Sequence, residues 1–171
     1  MKKSHKIRLA LVPIGLGEDG QDAFHAAHLM ADEVMLVGIV SIKRGQPISA
    51  GAEQARKIRK RLMAMGNSNV RFKSTVIVSP TAWKDLQGII DNEQPDLLVL
   101  EWKDGRTIWG DPISSVLVNP VCNTAVVRGS LRAKPERTLV PVRGGPYAEL
   151  AFQIGMSFNS RQLDVLHIAL T

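Results

Sequence analysis

Asp96-Leu97-Leu98-Val99-Leu100-Glu101 carries the reading on which the fold turns. Four consecutive apolar residues between two acidic ones, entered through Pro95, are too short for a buried helix and fit a strand. A strand with one wet face alternates polar and apolar side chains. One that is apolar on both faces lies inside a parallel sheet with helices covering each side. Working outward, Ser79-Pro80 reads as an N-cap with proline at the first helical position. The helix it opens runs to about Asn92, with Leu86, Ile89 and Ile90 inward and Trp83 one turn earlier. Further upstream, Ile7–Ile14, Val34–Val40 and Val70–Ile77 read as strands, and Gly20–Ala31 and Ala52–Met65 as helices. Downstream, a short helix over Pro112–Val118 leads to a fifth strand, Thr124–Arg128. The alternation predicts an α/β fold of three layers, α/β/α, around a five-stranded parallel sheet of Rossmann-like type. Ligands of such sheets bind beyond the carboxyl ends of the strands, at a topological switch point.

The chain has 171 residues, room for one domain of about 100–150 residues and a remainder. No apolar run approaches the roughly 18–20 residues that cross a bilayer, and no secretory leader pattern follows the basic start, so direct membrane insertion is not expected. The single cysteine, Cys122, rules out an intrachain disulfide and suits a cytoplasmic location. Net charge is +6, with a basic run at Arg56-Lys57-Ile58-Arg59-Lys60-Arg61. Ile58, Leu62 and Met65 fall at i, i+4 and i+7, which makes the run the solvated face of an amphipathic helix. No aromatic residues are interleaved with it to stack bases, so nucleic acid is not the expected partner.

After a linker at 129–136, the sequence starts again. Leu139-Val140-Pro141-Val142 repeats Leu11-Val12-Pro13-Ile14 at an offset of 128. Without a gap, Gly17 then meets Gly145, Ala23 meets Ala151, Phe24 meets Phe152 and Val37 meets Val165. The expected organisation is a complete domain over residues 1–129 and the opening βαβ of a second copy over 137–171. A lone βαβ unit leaves apolar faces open, so Phe152, Ile154, Val165 and Ile168 need a cover from the first domain or a neighbouring chain.

Leu11-Val12-Pro13-Ile14 with its glycine-rich turn, Pro95 through Leu100, and Gly110 through Val127 together resemble the universal stress protein family. The resemblance covers about residues 6–128 and restarts at 137. It implies an adenine nucleotide alpha hydrolase-like fold, usually dimeric, that binds ATP or AMP in some members and no ligand in others. Members that bind carry an aspartate at the end of strand one and glycines spaced Gly-x2-Gly-x9-Gly-Ser/Thr after strand four. Such glycines let backbone N–H groups close on phosphate oxygens. Here Gly15 stands at the aspartate position, and Arg143 does so in the second copy. Trp102 replaces the first glycine, and only four residues separate Gly105 from Gly110. Asp111 follows Gly110, a carboxylate that would cap its own helix and repel phosphate, and Pro112 removes a helix N-terminal donor. Arg106 is the one compensating phosphate contact. Any ligand is expected to touch Gly15, Val40, Gly105, Arg106, Gly110 and Asp111, and the expected resident cofactor is none.

Other motifs weigh less. Gly15-Leu16-Gly17-Glu18-Asp19-Gly20 spells a dinucleotide fingerprint, but it carries two acidic residues and lacks an acidic end to strand two. Lys43 and Arg44 there would suit an NADP 2′-phosphate. His25, His28 and Asp32 share a helix edge without a supporting metal motif, and Cys122 has no paired histidine. Trp102 and Trp109 flank the shortened loop. The leading expectation is a non-catalytic, homodimeric sensor or regulatory module with a degenerate nucleotide pocket. The alternatives are a cytosolic domain regulating a membrane transporter (amino-acid permease or cation antiporter), with a protein partner, and an NADP-dependent enzyme using the glycine turn.

Overall fold

The computed structural model describes residues 7–17, 19–66, 71–131 and 133–169. Val70 and Glu18, used in the readings above, lie outside the described residues. The first unit runs β1 (Ile7–Ile14), α1 (Gln21–Met30), β2 (Ala31–Ser41), a 3₁₀ turn at Ile48–Gly51, α2 (Ala52–Met65), β3 (Arg71–Ser79), α3 (Ala82–Glu93), β4 (Leu97–Glu101), α4 (Ile113–Val118) and β5 (Thr124–Val127). Its strands form a parallel sheet in the order β3-β2-β1-β4-β5. The chain winds one way from β1 and then the other, so the switch point lies between β1 and β4.

The period-2 geometry of the central strands divides the core. Ala10, Val12 and Ile14 face α1 and α2, with Ile58 and Leu62 of α2 in the same cluster. Leu9 and Leu11 face the opposite layer, where Leu86, Ile90 and Val116 of α3 and α4 lie. Leu97 to Leu100 are buried along their whole length, as the doubly apolar run requires. The three-layer α/β/α architecture with five parallel strands is therefore present.

Two boundaries differ from expectation for physical reasons. Helix α1 passes straight into β2 at Ala31, because Ala31 is already extended and paired with Ile7. Ser79 is not a helix N-cap. It remains in the sheet opposite Ser41, its Oγ accepts the Thr81 N–H at 2.8 Å, and α3 begins only at Ala82, after Thr81. Pro80 thus ends a strand and does not open a helix.

Residues 137–167 form β6 (Arg137–Val142), α5 (Pro146–Ser157) and β7 (Gln162–His167), a separate two-stranded parallel sheet with its helix. Leu150, Ile154 and Phe158, with Leu131 of the linker, rest on the α1 side of the main core. Val165, Ile168 and Phe152 stay 51%, 46% and 39% exposed, whereas Ile154 is partly buried against the first unit. In the first unit Val12 pairs with Leu36, but in the second Val140 pairs with Val165. With the first strands matched at the offset of 128, the second strands therefore pair one residue out of step. The turn is shorter, since Gly145 directly precedes α5 as Gly20 precedes α1, and the helix-to-strand passage is longer.

Candidate functional site

The switch-point crevice is bounded below by the ends of β1 and β4, on one side by the 15–20 turn, and above by the loop from Trp102 to Pro112. A Cβ on Gly15 would meet Asp19 Cβ at 3.0 Å and Ile108 Cβ at 3.5 Å. The floor is thus occupied by those two side chains. Lys103 Nζ reaches across and donates to Asp19 Oδ1, and that carboxylate raises the lysine above its ordinary pKa. From α2, the Arg61 guanidinium donates to the carbonyls of Gly15 at 2.9 Å and Asp19 at 3.2 Å, fixing the turn from behind. Glu101, at the end of β4, accepts the Asp22 N–H at 3.0 Å. The first turn of α1, where a helix favours an anion, therefore already holds a carboxylate of the protein.

The overlying loop is a small hairpin. Lys103 and Arg106 form an antiparallel bridge, the Arg106 N–H donates to the Lys103 carbonyl at 3.0 Å, and Asp104 and Gly105 between them both have positive φ, +52° and +72°. That is the backbone a two-residue primed turn demands, and Asp-Gly is one of its preferred dipeptides. Gly105 serves turn chirality here. The Thr107 N–H and Oγ both donate to the Asp111 carbonyl, at 2.7 and 3.0 Å, the Gly110 N–H to Thr107 at 3.0 Å, and the Ile113 N–H to Gly105 at 2.9 Å. A polyphosphate needs several backbone amides free to converge on it, and these are engaged with one another's carbonyls.

The expected residues are distributed unevenly. Arg106 and Gly110 line a cleft of about 250 Å³ together with Asp19, Lys103, Thr107 and Ile108. That falls below the ~300–1,000 Å³ of typical small-molecule pockets. Gly15 lies buried beneath Asp19. Val40 is 1% exposed in the core, and a Cβ on Gly51 would lie 3.0 Å from it. Arg106 Nη1 donates to the Gly110 carbonyl at 2.7 Å, so the guanidinium expected to meet phosphate closes the loop on itself.

Asp111 corrects one expectation outright: it does not cap α4. Its Oδ2 accepts the Trp109 indole N–H at 3.0 Å, and α4 starts after Pro112 without a side-chain cap bond. Trp109 in turn stacks on Trp83 of α3, ring centroids 5.6 Å apart at 13°. Trp109 therefore anchors the hairpin to the α3 layer, while Trp102 stays exposed beside Gly105. The residues that reasoning from sequence missed are Asp19, Lys103, Ile108 and Arg61. The dipeptide Asp104-Gly105 was the available signal for the hairpin; the reach of Arg61 and Lys103 had none.

The dinucleotide motif fares no better. The Gly15 N–H donates to Asp19 at 3.1 Å, and the Phe24 N–H to Gly20 at 3.0 Å, which makes the motif a hydrogen-bonded turn. His25 and His28 both follow Phe24 on α1 and tilt their rings against it, with centroids 5.8 and 6.1 Å away, and no group of potential metal ligands is present among the described residues. Cys122 is half-buried against the α3–α4 core, and burial pushes its thiol above the usual value.

These features define an α/β protein of doubly wound topology with a crevice occupied by its own side chains. No protein-family model matches the chain, and no curated protein matches it. Solved structures do. A universal stress protein in complex with cAMP aligns with TM-score 0.50 at 16% identity, over 72% of this chain and 98% of its own. A functionally unknown protein from Pseudomonas aeruginosa PAO1 aligns with TM-score 0.58 at 14% identity, over 98% of this chain and 63% of its own. A candidate universal stress protein from Pseudomonas aeruginosa UCBPP-PA14 aligns with TM-score 0.56 at 14% identity, over 96% and 62%. The chain thus spans less than two thirds of the length of the two Pseudomonas proteins. Its fold is that of the universal stress proteins.

Proposed function

We propose that this chain is a non-catalytic sensor or regulatory module of universal stress protein type whose adenine-nucleotide crevice is closed by its own side chains. The observation that carries the reading is the pairing of Lys103 with Asp19 over a buried Gly15, beneath a hairpin whose amides are engaged internally. ATP is therefore bound weakly or not at all. A monophosphate asks for fewer amides than a triphosphate, and a structural neighbour carries cAMP, so AMP and cAMP are the nucleotides most able to compete. Isothermal titration with ATP, ADP, AMP and cAMP tests this. Triphosphate affinity below about 1 µM would sink the closed-crevice reading. Replacing both Asp19 and Lys103 with glycine should raise affinity if those side chains are the obstruction.

Residues 137–171 fit the opening of a second copy. Support comes from the repeated Leu-Val-Pro, the parallel β6–β7 pair with its helix, and alignment along nearly the whole chain with two longer proteins. Exposed Leu139, Val165 and Ile168 favour association, and the functional unit is read as a homodimer. Light scattering at roughly tens of micromolar should return twice the chain mass, and a monomer there overturns the dimer.

A further inference from the structure

Helix α2 and the segment that leads into it carry a local excess of positive charge. Helix α2 buries Ile58 and Leu62 and turns Arg56, Arg59, Lys60 and Met63 outward, at i, i+3, i+4 and i+7. Lys57 lies beside them, paired with Glu53 one turn away at 2.7 Å. The segment feeding the helix carries Lys43 and Arg44 in a turn closed by the Gln46 N–H donating to the Lys43 carbonyl, and both side chains are exposed. Counting Lys43, Arg44, Arg56, Lys57, Arg59 and Lys60 against Glu53 gives 6 − 1 = +5 on this face, out of +6 for the chain. The remaining 16 basic and 15 acidic residues nearly cancel.

Two large apolar side chains stand exposed at the two ends of this segment. Met63, 64% exposed, lies one turn beyond Arg59 and Lys60 near the end of α2, and Ile48, 69% exposed, stands in the 3₁₀ turn just before the helix begins. Cations surrounding protruding aliphatic groups match a surface that is anionic outside and apolar beneath. A nucleic-acid surface offers nothing to Ile48 or Met63, and the face has no aromatic residue to stack on bases.

We infer that the α2 face, with the 43–48 segment, is a peripheral docking surface for an anionic lipid bilayer. Adsorption is by charge, with Ile48 and Met63 dipping to the headgroup boundary. No described helix is long and apolar enough to span.

Co-sedimentation of the full chain with vesicles tests the inference. The probes are phosphatidylcholine alone and phosphatidylcholine with about a third phosphatidylserine. Binding is expected only to the anionic vesicles, and it should be lost in high salt, where screening is complete within a few ångströms. Arg56→Ala combined with Lys60→Ala should weaken binding about 30-fold, at roughly a fivefold loss per cation near the surface. Both residues are exposed, so an unchanged circular-dichroism melt will show that the variant is folded. Lys84→Ala combined with Lys134→Ala, which removes the same charge elsewhere, should change little. Equal losses in the two variants overturn the inference, because net charge alone would then explain binding. So does equal binding to neutral vesicles, no binding at all, or tighter retention by duplex DNA or RNA than by anionic vesicles at the same salt.

Discussion

The molecule contains one strand–helix–strand design twice, in two different settings. In the first unit β1 lies between β2 and β4, with helices above and below, and Leu9 to Val12 are all but excluded from solvent. In the second, among the described residues β6 pairs only with β7, and α5 covers one face, so Val140 is buried while Leu139 beside it is 61% exposed. Each helix follows a glycine at positive φ, Gly20 at +88° and Gly145 at +83°. The strand–helix–strand form is thus the same in both settings, and the neighbours differ in how far they bury it. The largest test exchanges equivalent leucines. Leu11→Ala should cost about 3–5 kcal/mol in urea unfolding, through lost transfer free energy and the cavity left behind. Leu139→Ala, at the position 128 residues later, should stay within about 0.5 kcal/mol. Similar losses at both positions would break the comparison and place a partner over β6.

The fold was legible for the same reason that Leu11→Ala should be costly. Leu97-Leu98-Val99-Leu100 and the alternating helices encode burial on both faces, a property of side chains close together in sequence. Helix and strand ends were less legible at Ser79 and Ala31, where pairing with a distant strand outweighs local cap and propensity signals. The glycine pattern pointed to the end of β1 and the loop after β4 but not to the side chains that meet there. Lys103 meets Asp19 and Arg61 meets Gly15, pairs 84 and 46 residues apart. No spacing rule connects such pairs before the chain folds. The exception is the hairpin, since Asp104-Gly105 writes its turn locally. The slipped register of β7 was likewise invisible, because a gapless match cannot record a shorter turn offset by a longer passage.

A smaller test addresses the seam between the units. Ile154 of α5 rests on the α1 side of the first core, so Ile154→Ala should remove about 1–2 kcal/mol of local stability, less than a fully buried site. The loss should appear in hydrogen exchange as weaker protection across α5, β6 and β7, with β1 and β2 unchanged. If protection fell equally in both sheets, the two units would be one cooperative body, and the contrast between the covered and the uncovered unit would be only geometric.

The smallest effect lies at the same seam, at Cys122. The residue lines a groove of about 630 Å³ with Leu117, Leu150, Ala151 and Ile154, and burial holds its thiol above the ordinary value of 9.0. The thiolate is the reacting form, so at pH 8 a disulfide reagent should modify Cys122 more slowly than a free thiol. Ile154→Ala should speed the reaction by opening the groove. The sign of the pH dependence follows from the same burial. Below pH 9 both states keep the proton and the thiol contributes no slope. Above it the unfolded chain ionises first, so stability should decline as pH rises from 9 toward the folded thiol's value. A thiol that reacts at full speed at pH 8 in the unsubstituted protein would mean that the α3–α4 core leaves Cys122 open to the reagent, and a rate unchanged by Ile154→Ala would mean that α5 does not limit access to it.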